Sequence, residues 1–553
     1  MIKLGIDFGS TYTMASVLEN GVPVTVQPSS ITYNYPSIVC YDEVKNKYFY
    51  GASARDKIGK PNIKTYRGFK MLLAQQNDES VLSERGYTGT NTPEHITELF
   101  LRHVITKTLS NLQEDKVDLL VLGAPECWFQ SMQTFDARGT LRDICLKFSD
   151  LVNRFELRSE PTDAAAFCVW NYDQKQKRKF NGKILVVDYG GGTLDTALVS
   201  VTHINEKIQV KPEILSGIGE NSDKKIGRAG IAYQEAVVRK AIAAANNIPE
   251  SEVLTDKQFD KAVKQFEDAL VADCEYVDDI FTEYEAVPED LETEQFTTVE
   301  YGGGEIEIDF AQMKTAYDET IRGSLKRVLD ESVKGLSEGE QPYLALVGGF
   351  CNFFLVREQI RNHFSLGRVN ERVKTLFHKE EDREKAIAYG ACLLANSVIE
   401  VCHVAGFGIS MAIYNGRNEL LKEYAIRYGQ EYIPEKVYFL TDSHSAIIPM
   451  VLTEADKFLL NFSKSSDDGV IAEPKPEFAN ALKKCTKDSM LAVVGFSIDA
   501  AERIRVHIFD YDPDADDSAY GTSITPKSVI ALSTFKGSFH NIKIPKKGVK
   551  YEV

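Results

Sequence analysis

The chain of 553 residues carries 81 acidic and 64 basic side chains, which gives a net charge of −17, and 43% of its residues are apolar. This acidic balance argues against nucleic-acid binding, which depends on basic patches that displace counterions. No apolar run reaches the ~20 residues of a membrane helix, and the nine cysteines lack the paired spacing of zinc or redox motifs. A buried strand predicted from Ile2 leaves no room for a signal peptide. We therefore expect a cytoplasmic protein of roughly three or four domains that binds neither nucleic acid nor membranes.

The first predicted strand ends in an acid and a glycine turn. In "KLGIDFGSTYTMASVLENG" (3–21) an apolar run leads to Asp7 and Gly9, followed by small hydroxyl residues and a second apolar run. Further along, "VDLLVLGAPE" (117–126) predicts a buried strand, and "RSEPTDAAAFCVWNY" (158–172) predicts a helix that starts near its proline.

A second strand has the same layout. In "KILVVDYGGGTLDTALVSV" (183–201) an apolar run leads to Asp188 and three glycines, and a further apolar run predicts a hairpin. One such motif alone indicates a glycine-rich hairpin, but two copies far apart indicate two similar lobes, each with an acid and a set of backbone amides. Such amides bind phosphate oxygens, and a carboxylate pair can hold hydrated Mg²⁺. The pair of motifs therefore predicts a polyphosphate site between two lobes.

The remaining segments alternate between helix and strand up to about residue 400. Residues 255–281 predict an amphipathic helix with its acids on the outer face. The glycines in "TTVEYGGGEIEIDF" (297–310) follow no emerging aspartate, so we predict a hairpin turn without a phosphate role. Residues 341–364 predict a strand, a turn at Gly348-Gly349 and then a helix. Residues 383–399 predict a helix of small residues. Beyond them, short alternating runs predict an all-β domain over 405–553, with 396–404 as the joint.

These motifs together resemble one family. "GIDFGSTYT", "SEPTDAAAF", "VVDYGGGTLD", "LVGGF" and "AIAYGA" are similar in order and spacing to the nucleotide-binding domain of DnaK-type 70-kDa heat-shock chaperones, over about residues 1–397. Residues beyond 404 resemble that family's peptide-binding domain more weakly. The resemblance implies an α/β two-lobed actin-like ATPase (a duplicated ribonuclease-H-like fold) followed by an all-β sandwich. It divides the chain into lobe I (1–180, completed by 365–397), lobe II (181–364), a linker (396–404) and the sandwich (405–553).

The resemblance also implies roles for individual residues. Asp7 and Asp188 would hold Mg²⁺ through water with support from Asp195, Lys70 would orient the attacking water, and Glu160 would lie near the metal shell. Gly348 and Gly349 would lie against the adenosine. The residues that would wrap the phosphates are Gly9, Ser10, Thr11 and Tyr12 on one side, and Gly190, Gly191, Gly192 and Thr193 on the other.

Several positions depart from the family pattern. Phe350 and Asn352 stand where the family has a serine and an arginine, so the arginine that flanks adenine is absent. The acidic helix lacks the family's Lys-Arg pair near the base and ribose. Pro125 matches the family's relay proline without its arginine partner, the leucine linker is replaced by "NSVIEVCHV" (396–404), and we expect no helical lid after the β domain.

The function implied is that of a chaperone ATPase, in which ATP or ADP with Mg²⁺ controls a domain that binds a polypeptide client, with co-chaperones as further partners. Three alternatives remain open at this point. One is a nucleotide-gated binding or scaffold protein with little hydrolysis. The others are a small-molecule kinase of the same superfamily and a cytoskeletal filament.

Overall fold

The computed structural model describes most of the chain and divides it into two units. The first unit comprises Met1–Trp128 and Thr140–Val401, and the second comprises Phe129–Gly139 and Cys402–Val553. The described residues are 2–30, 32–75, 79–126, 128, 137–204, 207–218, 229–284, 291, 294–334, 336–337, 339–368, 371–376, 380–405, 408–414, 420–427, 429–442, 444–451, 458–461, 469–472, 491–499, 504–531 and 549–550.

The first unit mixes strands and helices throughout its length. Its strands, β1 to β17 in chain order, are Ile2–Phe8, Tyr12–Glu19, Val22–Thr25, Tyr35–Pro36, Ile38–Asp42, Lys47–Tyr50, Ile63–Arg67, Val117–Ala124, Val152–Ser159, Gly182–Tyr189, Leu194–Ile204, Lys207–Ile218, Gln295–Tyr301, Gly304–Asp309, Tyr343–Val347, Lys374–Thr375 and Ile399–Val401. The described α-helices, α1 to α13, are Ala52–Arg55, Phe69–Leu72, Glu79–Glu84, Pro93–Leu112, Ala137–Leu146, Glu160–Gln176, Gly230–Asn246, Lys257–Ala272, Cys274–Tyr284, Phe310–Tyr317, Gly323–Ser332, Phe354–Phe364 and Glu380–Ala395.

Two six-stranded sheets repeat the same strand order. One runs β3-β2-β1-β8-β9, with β4 also paired to β2, and the other runs β12-β11-β10-β15-β16, with β17 beside β12. In each sheet the central strand, β1 or β10, pairs antiparallel with the next strand and parallel with a strand far along the chain. The predicted hairpin over 183–201 is therefore confirmed. The repeat places Asp7 and Asp188 at equivalent positions, each one residue before the end of its central strand.

Two further small sheets belong to the first unit. Strands β5, β6 and β7 form a three-stranded antiparallel sheet, and β13 pairs antiparallel with β14 in the hairpin predicted at 297–310. The predicted amphipathic helix over 255–281 is present as two helices, α8 and α9. Part of the predicted linker, Ile399–Val401, forms the edge strand β17, which pairs in parallel with β12.

Small residues allow α13 to lie very close to its neighbours. A Cβ on Gly390 would lie 1.7 Å from the backbone oxygen of Asp163 in α6, and a Cβ on Gly5 in β1 would lie 2.3 Å from the Cys392 nitrogen. Such approaches are open to glycine alone because it has no Cβ. The contacts fix the first turn of α6, which begins with Glu160, close to the central strand β1.

Over residues 402–553 of the second unit the described residues include β-strands and one short 3₁₀ turn, Asp517–Ala519, with no α-helix among them. This agrees with the predicted all-β character of 405–553, although much of that range lies outside the described residues. The strands, β18 to β29 in chain order, are His403–Val404, Gly408–Tyr414, Leu420–Ile426, Glu431–Tyr432, Tyr438–Phe439, Met450–Val451, Phe458–Asn461, Gly469–Ala472, Leu491–Ile498, Ile504–Asp510, Ser528–Ala531 and Val549–Lys550. One sheet joins β19, β20, β24, β25 and β29, another joins β22, β23, β26, β27 and β28, and β18 pairs with β21.

Candidate functional site

The two glycine turns predicted from the sequence meet in the structure. The turn between β1 and β2 carries Ser10 and Thr11, and the turn between β10 and β11 carries the three glycines. A Cβ on Gly191 would lie 1.9 Å from the Thr11 side-chain oxygen, and a Cβ on Gly192 would lie 2.1 Å from that of Ser10. A side chain at either position would require the opposite turn to shift, so both positions favour glycine.

The two aspartates stand beside these turns in an acidic environment. Asp188 is 4% exposed, whereas Asp7 keeps part of its surface accessible. Burial, together with the charge of Glu160, raises the pKa of Asp7 to about 7, although Lys70 acts in the opposite direction. Burial and then the charges of Glu160, Asp195 and Asp7 raise the pKa of Asp188 well above its usual range. The carboxyl groups of the two strand ends therefore interact with each other.

A single buried ion pair neutralises part of this charge. The Lys70 Nζ lies 2.6 Å from the Glu160 Oε1, and the two side chains are 2% and 4% exposed. Burial alone would lower the pKa of Lys70, but Glu160, Asp7 and Asp188 outweigh that effect and raise it. Lys70 belongs to the short helix α2, which follows Gly68 in a left-handed conformation (φ 62°). Glu160 is the first residue of α6, where the helix dipole favours an acid.

The other predicted residues lie on the two glycine turns or next to them. Thr193 and Asp195 are buried at the start of β11, and Asp195 is the cross-strand partner of Asp188. Gly190 donates its N–H to the Thr193 carbonyl oxygen over 3.1 Å, which closes the turn. Tyr12 follows the first turn, but its hydroxyl points to Glu267 in α8, 3.5 Å away. Only its backbone thus stays with the turn, where the Tyr12 carbonyl oxygen lies 2.1 Å from a Cβ placed on Gly9.

The Gly348-Gly349 turn lies directly against the second acidic strand end. Gly348 has φ +80°, and a Cβ there would lie 2.5 Å from the Tyr189 carbonyl oxygen and 2.8 Å from the Asp188 Oδ1. Gly349 is exposed. The structure therefore brings the two glycine turns, the two aspartates and the Gly348-Gly349 turn together in one region of the first unit.

A cluster of arginines and acids near this region was not predicted. Glu267 accepts hydrogen bonds from Arg55 and Arg67, each over 3.1 Å, and its side chain is 4% exposed. Arg85 forms two hydrogen bonds of 2.8 Å with Glu235 in α7. The prediction that the acids of the 255–281 helix face outward is thus wrong for Glu267, which is buried by its charged partners. The amphipathic pattern carries no signal for this, because the arginines lie some 200 residues earlier.

The described part of the chain contains neither a membrane-spanning helix nor a cluster of direct metal ligands. None of its helices combines the length and apolar character that crossing a lipid bilayer requires. Within the same residues, no three or more His, Cys, Asp or Glu side chains converge closely enough to ligate a metal ion directly.

Comparison with known proteins gives consistent matches. The family model described as Hsp70 protein matches residues 3–407. The chaperone protein HscA of Buchnera aphidicola subsp. Schizaphis graminum (strain Sg) is 27% identical over 222 residues, which cover 37% of this chain and 33% of HscA. The chaperone protein DnaK of Mycoplasmopsis agalactiae (strain NCTC 10123 / CIP 59.7 / PG2) is 27% identical over 220 residues, which cover 40% of this chain and 32% of DnaK. The chain thus spans about a third of each relative. Because the family model matches well over half of its length, this chain belongs to the Hsp70 family.

Proposed function

We propose that the chain binds ATP with Mg²⁺ between its two glycine turns, hydrolyses it slowly, and uses the nucleotide state to control binding of a polypeptide client by the β-rich unit. The proposal includes an actin-like, duplicated ribonuclease-H-like fold for the first unit and a β-sandwich for the second. It rests above all on one observation, the direct contact of two equivalent strand–Asp–Gly turns.

The residues at the site suit a hydrated divalent cation. Carboxylates are hard oxygen donors. Burial, and after it the charge of Glu160, raises the pKa of Asp7 to about 7, and a nearby positive charge would favour its ionised form. In this proposal Asp7 and Asp188 hold Mg²⁺ through water, and Asp195 supports them from the neighbouring strand. When bound, Mg²⁺ would neutralise charge on the phosphate oxygens.

The chain's own groups would supply orientation and charge. The Gly190–Gly192 backbone and Ser10 and Thr11 would donate hydrogen bonds to phosphate oxygens from opposite sides, with Gly9, Tyr12 and Thr193 completing the turns. Phosphoryl transfer needs positioning and electrostatic stabilisation more than covalent help. Lys70, fixed by Glu160 at 2.6 Å, would donate a hydrogen bond to the attacking water and face the charge that develops on the γ-phosphate. Gly348 and Gly349 would lie against the nucleoside.

The proposal also includes the binding of a client and of co-chaperones. The relatives' names, chaperone proteins HscA and DnaK, support it, together with the strand-rich second unit. A pocket of about 640 Å³ in that unit is bordered by Tyr424, Phe439, Asp442 and Asp517.

The test is ATP hydrolysis by Lys70→Ala. Removal of one preorganised donor typically costs about 100-fold in rate or more, so turnover should fall by that factor while ATP binding persists. Lys64→Ala serves as the control, because Lys64 forms an exposed ion pair with Glu43 and should leave turnover unchanged. Unchanged hydrolysis in Lys70→Ala would contradict the assigned role. Binding without turnover in the unmodified protein would favour the nucleotide-gated scaffold instead.

A further inference from the structure

A fully buried carboxyl group lies in the first turn of α6 and has no role in the site described so far. Asp163 is 0% exposed, and across the described ranges of the chain neither of its carboxyl oxygens has a hydrogen-bond partner. The close approach of Gly390 to the Asp163 carbonyl oxygen holds this turn against α13. A polar group buried in this way is costly, and it calls for an explanation beyond the packing of the helix.

Charged groups on three elements determine whether this carboxyl group is ionised. Arg158 and Glu156 lie on β9, Asp7 lies on β1, and Glu160 begins α6 itself, whereas the contact from α13 is made by a glycine. Arg158 is held by Glu156 in an ion pair of 2.6 Å. Burial raises the pKa of Asp163 well above its usual range, Arg158 opposes this effect, and the three carboxylates add to it. The protonated form of Asp163 is therefore favoured in the folded protein.

Asp163 is linked to the proposed catalytic lysine through Glu160. The two acids are three residues apart, and side chains at that spacing are neighbours on one face of a helix. Glu160 is the carboxylate that acts most on Asp163, and its Oε1 holds the Lys70 Nζ at 2.6 Å. Neighbouring buried carboxyl groups titrate as a pair, in which a proton on one favours the charge on the other. A proton on Asp163 thus favours the ionised Glu160 that the ion pair with Lys70 requires.

Resting on the proposed hydrolysis of ATP, we propose that Asp163 is a positioning residue that works in its protonated form and keeps the negative charge of the pair on Glu160, where it fixes Lys70. An ionised Asp163 would place a second negative charge in the same helix turn. That charge would disfavour the ionised form of Glu160 and repel the phosphate oxygens that Lys70 faces. Turnover should therefore depend on the proton of Asp163, although Asp163 need not touch the nucleotide.

The proton can be measured without nucleotide, by infrared spectroscopy of the full chain in D₂O between pH 6 and 10. The C=O stretch of a protonated carboxyl group is separate from the bands of a carboxylate. We expect Asp163→Asn to remove one protonated-carboxyl band, and the pH at which that band disappears in the unmodified chain gives the midpoint of the Asp163 titration. Loss of a carboxylate band in its place at pH 7 would overturn the proposal.

Turnover at saturating ATP over the same pH range tests the positioning role. One unit above the infrared midpoint, about a tenth of the unmodified molecules keep the proton on Asp163, whereas Asp163→Asn cannot ionise. The ratio of the two rates, variant to unmodified, should thus rise about 10-fold from one unit below the midpoint to one unit above it. A ratio that stays constant with pH, whether or not the band titrates in this range, would overturn the positioning role, because a purely structural loss lowers the rate equally at every pH.

Two further variants complete the test. Asp163→Ala also removes the carboxyl group and extends an alanine-rich helix, so it gives a second reading of the band and of the rate ratio if Asp163→Asn does not fold. Asp150→Asn is the matched control, since Asp150 is exposed and paired with Arg102 at 2.7 Å. It should change neither the protonated-carboxyl band nor the pH dependence of the rate.

The outcomes separate this inference from the function beneath it. An unmodified chain that hydrolyses no ATP would overturn the proposed function and the positioning role together, and the infrared band would then report only the proton on Asp163. Hydrolysis with a rate ratio that does not vary with pH would overturn the positioning role and leave the proposed function standing.

Discussion

At the scale of single residues, the site concentrates more negative charge than its one ammonium group can neutralise. Lys70 is buried beside Glu160, and its pKa is raised despite its burial because Asp7 and Asp188 also act on it. A buried pair of this kind contributes little net stability, but loss of one partner is expensive because the other charge is left uncompensated. The arrangement is therefore better explained by what it can bind than by what it adds to the fold.

A second charged group lends itself to a pH experiment. Burial raises the pKa of Asp260 in α8 from 3.8 to about 6, although Arg67 and Arg85 act to lower it. Between these two pH values the native state holds the proton more tightly than the unfolded state, so the free energy of unfolding falls as pH rises from about 4 to 6. Asp260→Asn removes this titration. Its stability relative to the unmodified chain should grow by about 1–3 kcal/mol across that window and then stay constant.

Urea unfolding at pH 4, 5, 6 and 7 measures the effect. Asp150→Asn is the matched control, because a hydrogen bond from Arg102 lowers the pKa of Asp150 below 3.8, so the stability of this variant relative to the unmodified protein should not grow between pH 4 and 7. Unfolding curves for Asp260→Asn that run parallel to those of the unmodified protein at every pH would contradict the prediction.

At the scale of elements, α13 lies very close to α6 at a glycine. A Cβ on Gly390 would lie 1.7 Å from the Asp163 carbonyl oxygen, a backbone atom that cannot turn aside. Gly390→Ala should therefore destabilise the protein by about 3 kcal/mol or more in chemical unfolding, or prevent folding. Gly323→Ala is the matched change, since Gly323 begins α11 with nothing within 4 Å of an added Cβ. It should be neutral or stabilising by up to about 1 kcal/mol, and similar losses in both variants would contradict this account.

The arginine–acid cluster joins α8 to the small sheet of β5, β6 and β7 and to the adjacent α1. Glu267 holds Arg55 from α1 and Arg67 from β7 at the same time, with its own side chain buried. The cluster adjoins the proposed phosphate turn through Tyr12, whose hydroxyl lies 3.5 Å from Glu267 Oε1, so we expect nucleotide release to require these hydrogen bonds to open. Glu267→Gln should then accelerate the release of labelled ADP by about 10-fold or more in stopped-flow measurements. Glu300→Gln, which removes an exposed ion pair with Lys261, is the control, and equal release rates in the two variants would count against the cluster as a barrier.

At the scale of the whole molecule, each of the two units has a hydrophobic core of its own. One core cluster of the first unit includes Leu185, Phe259 and Val356, and a cluster in the second includes Val493, Phe509 and Tyr520. We expect two transitions in calorimetry of the full chain. ADP with Mg²⁺ should raise the midpoint temperature of only one transition. At a ligand concentration 100 times the dissociation constant, binding adds about 2.7 kcal/mol to the free energy of unfolding of that unit. A shift of both transitions by the same amount, or of neither, would contradict this prediction.

The sequence by itself determined the local parts of this protein. Continuous apolar runs predicted β1, β8 and β10, the proline and alanines after residue 160 predicted α6, and the two Asp–Gly turns predicted a paired site. These features follow from patterns within about 20 residues. A continuous apolar run indicates a strand buried on both faces, and a run of glycines indicates a turn whose backbone conformation other residues adopt only at a cost.

Only the tertiary structure decided which distant charges meet. Glu267 reads as one more acid on an amphipathic helix, and it is buried because Arg55 and Arg67, more than 190 residues earlier in the chain, converge on it. Arg383 likewise donates a hydrogen bond to the Asn352 side chain, 31 residues before it, and no local motif points to this contact. Side-chain pairing between elements depends on how the sheets and helices pack against one another. Because an ion pair between distant elements produces no periodic pattern in the sequence, it cannot be predicted from the sequence in this way.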